Sequence, residues 1–187
     1  QMQNPFENPG FSMASLTAAI NILPTLQEKV DIIQNAIDLA HIIGTPEPKV
    51  AILSAVETVN PKIQSTLDAA ALCKMADRGQ IKGGLLDGPL AFDNAVSIVA
   101  AKTKGINSAV AGRADILVVP DLESGNMIAK QLEYLANALS AGIVLGARVP
   151  IILTSRADNK RTKLASCAVA CLMASAPLGD GSTTIGG

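Results

Sequence analysis

Val50-Ala51-Ile52-Leu53-Ser54-Ala55-Val56 is apolar at every position but Ser54. A short run without polar alternation is unsuited to a half-wetted sheet face. Bounded by turn signals, it reads as a strand buried on both sides. Its flanks decide the fold. Upstream, Thr25-Leu26-Gln27-Glu28 has the pattern of a capping box. It opens a helix whose apolar face carries Val30, Ile32, Ile33, Ala36, Ile37, Leu39 and Ala40 and which ends at Gly44. Downstream, Asn60-Pro61 reads as a cap followed by proline at the first helical position. That second helix runs through Leu67, Ala70, Leu72 and Met75 to Gly79.

The alternation continues along the chain. Residues 81–86 read as a short strand, with Gly83-Gly84 as a candidate bulge. Residues 87–93 read as a loop, followed by a helix to about Lys104. Ala114-Asp115-Ile116-Leu117-Val118-Val119 is another buried strand; residues 120–126 form a polar loop and residues 127–139 a helix. The last two strands are 142–146 and 149–154, and a helix to about Ala174 closes the ordered part. Residues 1–24, punctuated by Pro5, Pro9 and Pro24, are expected to be irregular, residues 25–175 to form the α/β portion, and residues 176–187 to be a flexible Gly/Thr tail without the Lys of a phosphate-cradling loop. Helices alternating with strands that are apolar on both faces imply a three-layer α/β/α architecture on a largely parallel sheet.

Composition narrows the function. Of 187 residues 49% are hydrophobic but only 2% aromatic, so the core is aliphatic and aromatic platforms for stacking bases are missing. A net charge of −1 supplies no field for nucleic acid. Cys167 and Cys171 stand at i and i+4 and could face one ligand, but Cys73 is remote and no zinc-type spacing exists. The thiols are expected to be buried small hydrophobes in a reducing compartment, with no metal. The sole histidine, His41, is expected to be a half-buried bystander on its helix. No basic-then-apolar leader is visible, and the most apolar window is broken by Asn137, Ser140 and Arg148; a cytoplasmic protein without membrane segments is expected.

Ligands of open α/β sheets bind outside the carboxyl ends of strands. Polar residues collect at those ends: Ser54 and Glu57, residues 87–93, residues 121–126, and residues 155–158. For Asp121 or Ser124 alone, ordinary turn chemistry is the competing explanation. Gly142 and Gly146 would admit either a ligand or a neighbouring backbone. At Ser155-Arg156-Ala157-Asp158-Asn159-Lys160-Arg161 an apolar strand gives way to a helix that opens with Lys160, Arg161 and Lys163. Cations at the positive end of a helix dipole repel it, which makes sense if an external anion binds there; the competing reading is a solvated basic turn. Without a partner histidine, Ser155 is a poor nucleophile and a better hydrogen-bond donor to an oxygen gaining charge. Arg156 suits a phosphate or a developing oxyanion, and Asp158 is either a general base or, like Asn159, a helix cap.

Asp87-Gly88-Pro89-Leu90-Ala91-Phe92-Asp93-Asn94-Ala95, Val119-Pro120-Asp121-Leu122-Glu123-Ser124-Gly125-Asn126 and Val149-Pro150-Ile151-Ile152-Leu153-Thr154-Ser155-Arg156 together resemble the phosphate acetyltransferase/phosphate butyryltransferase family, in the family's order and over roughly residues 18–173. The likeness is to the butyryltransferase-like branch, also found fused to an enoyl-CoA hydratase. It implies an isocitrate-dehydrogenase-like fold, a homodimer, and acyl transfer between coenzyme A and inorganic phosphate without a covalent acyl-enzyme. Coenzyme A is then a substrate and no cofactor is needed. It implies Ser155, Arg156 and Asp158 as catalytic residues and Asp93, Asp121, Gly125, Asn126 and Lys160 as substrate-binding residues. In the acetyltransferase branch the catalytic acid falls where this chain has Arg161 and Thr162, and full members carry over a hundred further residues ahead of the matching segment.

Overall fold

A computed structural model describes residues 15–17, 22–147, 149–156 and 159–176. The chain divides into two compact units, Gln1–Ala138 and Leu139–Gly187, where the sequence reading has one continuous α/β portion.

The first unit holds a four-stranded sheet of β1 (Ser15–Thr17), β2 (Lys49–Leu53), β3 (Leu85–Leu90) and β4 (Ile116–Val118), in the spatial order β1-β4-β2-β3. Every pairing is parallel. The helices are α1 (Leu26–Ile42), α2 (Gln64–Asp77), α3 (Phe92–Val96), α4 (Ile98–Thr103) and α5 (Leu122–Leu135). Period-two alternation sorts the strand side chains between two cores. Val50, Ile52, Ile116 and Val118 pack with Ile33 and Ile37 of α1 and Leu72 of α2. Ala51, Leu53 and Leu117 pack on the other face with Ala95 of α3, Ala101 of α4 and, partly buried, Ile128 of α5. Each fully buried aliphatic side chain contributes roughly 1.5–3 kcal/mol against exposure, so the covered strands hold this unit together. Register between β2 and β4 is clamped at their start, where the Lys49 N–H donates to the Asp115 carboxylate at 2.8 Å.

Several boundaries differ from the sequence reading. Ser15–Thr17 form β1 inside the segment expected to be irregular. Asn60 accepts from the Lys62 N–H as a cap would, but Ile63 is extended, so the helix itself starts only at Gln64. Residues 81–84 lie ahead of the strand, and β3 runs through Asp87-Gly88-Pro89, which had looked like loop. A side chain at Gly88 would stand 2.8 Å from both Cβ and O of Ile52, so glycine is what lets β3 approach β2. The helix after β4 begins at Leu122 rather than Met127.

The second unit holds β5 (Ile143–Val144), antiparallel to β6 (Ile151–Ile152), and α6 (Lys160–Ser175). These strands do not extend the parallel sheet as the sequence suggested; they are a two-stranded ribbon of their own, and Ile151 and Ile152 are exposed. Gly142 is explained by the neighbouring backbone, since a side chain there would run into the Leu153 carbonyl. α6 buries only the stripe Thr162, Ser166 and Ala170, and Ser166 Oγ accepts from the Gly142 N–H at 3.0 Å. Cys167 and Cys171 are exposed, contrary to expectation, because they lie off that stripe. Cys73, partly buried against the first core, is the thiol that fits the expectation. His41 is exposed and bonds the Gly83 carbonyl at 2.8 Å, tying the end of α1 to the approach of β3. The tail expected over residues 176–187 lies, after Ala176, outside the described residues.

Candidate functional site

In the first unit, β2 feeds α2 on one face of the sheet while its neighbour β4 feeds α5 on the other. Such a divergence leaves a crevice outside the carboxyl ends of the two strands. A groove of about 550 Å³ lies there, bordered by Leu23, Thr25, Lys29, Ser65, Asp68 and Asp121. The capping box at its edge is complete: the Thr25 hydroxyl accepts from the Glu28 N–H, and the Glu28 carboxylate accepts from the Thr25 N–H at 2.7 Å. The Thr25 N–H and the Thr25 hydroxyl, both donating to that carboxylate, hold the Glu28 carboxyl below its ordinary range. Lys29 is only 5% exposed and pairs with Asp68 at 2.6 Å. Gln64 donates to the other Asp68 oxygen, and Ser65 Oγ lies 2.8 Å from Ser54 Oγ.

Asp121 caps α5, accepting from the Ser124 N–H at 2.8 Å and the Ser124 hydroxyl at 2.6 Å. Chiefly through those bonds, and with Lys29 nearby, its carboxyl is held below the usual range. Gly125 is buried in the first turn of α5, its N–H donated to the Asp121 carbonyl, and Asn126 is exposed on the same helix. Asp93 is exposed on α3, 3.9 Å from Lys104, which pairs more closely with Glu57 at 3.1 Å. Lys104 holds the Glu57 carboxyl low. Asn94, fully buried, donates to Glu57 at 3.4 Å.

In the second unit, Ser155 and Arg156 are exposed in the turn between β6 and α6, and Lys160 is the exposed first residue of that helix. Asn159, one of the two candidate caps, takes the role and accepts from the Thr162 N–H at 3.0 Å. Asp158 lies outside the described residues. The first turn of α6 has no acidic residue, and among the described residues no carboxylate pairs with Arg156, Lys160 or Arg161. Positive side chains thus add to the positive helix end, an arrangement suited to an anion.

The sequence reading overlooked Lys29, Ser65, Asp68 and Lys104. Lys29 carried a signal: it stands at i−4 and i−8 from Ile33 and Ile37, within the apolar stripe of α1, where a charge calls for a partner. Asp68, in the following helix, had none as clear.

The first unit is thus a parallel α/β sheet with a crevice at its strand ends, and the second carries a helix that opens with basic residues. The family model described as "Phosphate acetyl/butaryl transferase" matches residues 13–171, and the chain belongs to that family. It is 71% identical over 157 residues to a phosphate acetyltransferase of Rhizobium meliloti, a match covering 84% of this chain and 50% of the relative. It is 52% identical over 156 residues to a phosphate butyryltransferase of Clostridium acetobutylicum, covering 83% and 52%. Among solved structures, a branched-chain phosphotransacylase from Enterococcus faecalis V583 superposes with a TM-score of 0.77 at 35% identity, over 85% of this chain and 57% of that one. The chain therefore spans about half the length of the curated relatives it matches. No described helix is long and apolar enough to cross a membrane.

Proposed function

We propose that the chain is part of a phosphate acyltransferase that moves a short acyl group between coenzyme A and inorganic phosphate. The observation that carries this reading is the Ser155–Arg156 turn, set against a helix start with basic residues and no first-turn acid. In the proposed reaction Arg156 holds phosphate while one of its oxygens attacks the thioester carbon. The carbonyl oxygen gains charge and takes a hydrogen bond from the Ser155 hydroxyl. The C–S bond then breaks, giving acyl phosphate and CoA thiolate, which takes up a proton. In reverse a base must remove that proton, because a thiol near pKa ~8.5 is mostly protonated at neutral pH; Asp158 is the candidate. Lys160 adds charge for phosphate; Asp93, Asp121 and Asn126 are proposed contacts to acyl-CoA, with Gly125 serving by its lack of a side chain. A cytoplasmic homodimer is the proposed setting, supported by the family resemblance.

The test is thiol release from acetyl-, propionyl- and butyryl-CoA, with and without phosphate. Release that depends on phosphate and yields an acyl phosphate supports the reading; phosphate-independent hydrolysis contradicts it. The alternative is a chain that binds phosphate and CoA without turnover. Calorimetry showing binding without release selects that alternative.

A further inference from the structure

The exposed side of α6 carries two thiols that the proposed acyl transfer leaves unused. Cys167 and Cys171 each stand one position beyond a member of the buried stripe, Ser166 and Ala170, and so lie about 100° round the helix from it. Four residues apart, they share one helix face, with Cβ atoms roughly 5–6 Å from each other. A disulfide needs Cβ atoms about 3.5–4.5 Å apart, so the two thiols cannot join while the helix is intact. A single atom between them can bridge the gap. Metal–sulfur bonds of about 2.3 Å put two sulfurs up to ~4.6 Å apart, a span that this spacing accommodates. Such an ion must be satisfied by two ligands, because among the described residues no group of three His, Cys, Asp or Glu could hold a metal. Zinc, which takes four ligands in structural sites, does not meet that condition. Cu(I) does: it is a soft ion that thiolates select, and two sulfurs in line satisfy it. Lys163 is exposed one turn ahead of Cys167 and pairs with no carboxylate among the described residues, so its charge can offset that of a dithiolate complex. Leu164, 69% exposed on the same side, gives the complex an apolar flank.

We propose that Cys167 and Cys171 form a two-coordinate site for Cu(I). Each thiol gives up its proton to solvent and forms one S–Cu bond, leaving a complex with one net negative charge and no change of oxidation state. The experiment titrates the reduced full chain with Cu(I) under argon, in competition with a chromophoric Cu(I) chelator, and follows the thiolate-to-copper absorption in the ultraviolet. One ion per chain is expected, and it should shield both cysteines from a thiol-reactive dye. Cys167→Ser and Cys171→Ser are each expected to weaken binding by more than about 100-fold, since losing a ligand exceeds the roughly 10–100-fold loss typical of the groups behind ligands. Both positions are exposed, so serine leaves the fold intact. Cys171→Ser/Leu172→Cys keeps the number of thiols but carries one of them about 100° round the helix, and it should bind no better than Cys171→Ser. That variant separates a bridged ion from ions held singly by independent thiols. No ion retained against the chelator, one ion for each thiol, undiminished affinity in either serine variant, or full affinity in the shifted pair would overturn the proposal.

Discussion

Removing the Asp68 carboxylate should destabilise the first unit far more than removing a similar carboxylate elsewhere on the same helix. The Lys29 side chain is 6% exposed and Asp68 13%, with 2.6 Å between ammonium and carboxylate. Asp68→Ala leaves the ammonium buried without its counter-charge, and breaking such a pair costs about 3–5 kcal/mol. Lys74–Asp77 provides an internal control: it also lies in α2, at 3.2 Å, but its side chains are 63% and 66% exposed. Water screens that pair, so Asp77→Ala should cost no more than about 0.5 kcal/mol. The double change Lys29→Met/Asp68→Leu removes both charges and should restore most of the loss. Urea unfolding followed by circular dichroism measures all three. If Asp68→Ala cost no more than Asp77→Ala, or the double variant were as unstable as the single one, the pair could not be a desolvated one.

Three further outcomes follow from local chemistry. Burial pushes the Cys73 thiol up to about 12, whereas Cys167 and Cys171 are exposed; a thiol-reactive dye at pH 8 should therefore label two cysteines quickly and the third only on unfolding. Glu28, Glu57 and Asp121 all have carboxyls held low in the folded state, so their stabilisation is complete above the ordinary carboxylate range and is lost as pH falls through the depressed values. Urea midpoints should stay level from about pH 7 to 5 and fall below about pH 4, and a fall already complete by pH 5 would contradict this. Asp121→Ala removes the α5 cap and should cost about 1 kcal/mol, read from the same unfolding curves.

Elements governed by local rules could be read from the sequence. The Thr25–Glu28 box needs only residues three apart, and it forms as read. The runs around Val50 and Ile116 are apolar at successive positions because both faces of β2 and β4 are covered by helices. Elements decided by distant partners were not legible. Asp87-Gly88-Pro89 has loop composition, yet it becomes strand because β2 lies alongside and Gly88 permits the approach. The apolar run at Ile151–Leu153 resembles a buried strand, but in the fold it is half of an exposed ribbon. Asp68 and Lys29 are 39 residues apart, and their pairing is a product of tertiary packing alone. The turn that carries Ser155 and Arg156 between β6 and α6 was readable because strand tip and helix start are contiguous; the groove, assembled from three separate segments, was not.

The most direct test of the transferase reading is the phosphate dependence of CoA release from acyl-CoA, comparing the unaltered chain with Arg156→Ala. If this guanidinium grips the phosphate in the transition state, the substitution should slow phosphate-dependent release by roughly 10²–10³-fold, equivalent to about 2.7–4 kcal/mol. Arg156→Lys should recover only part of that loss, because a point charge cannot reproduce the two-pronged contact. An Arg156→Ala protein that released CoA at the original rate, with the same response to phosphate, would contradict the assignment.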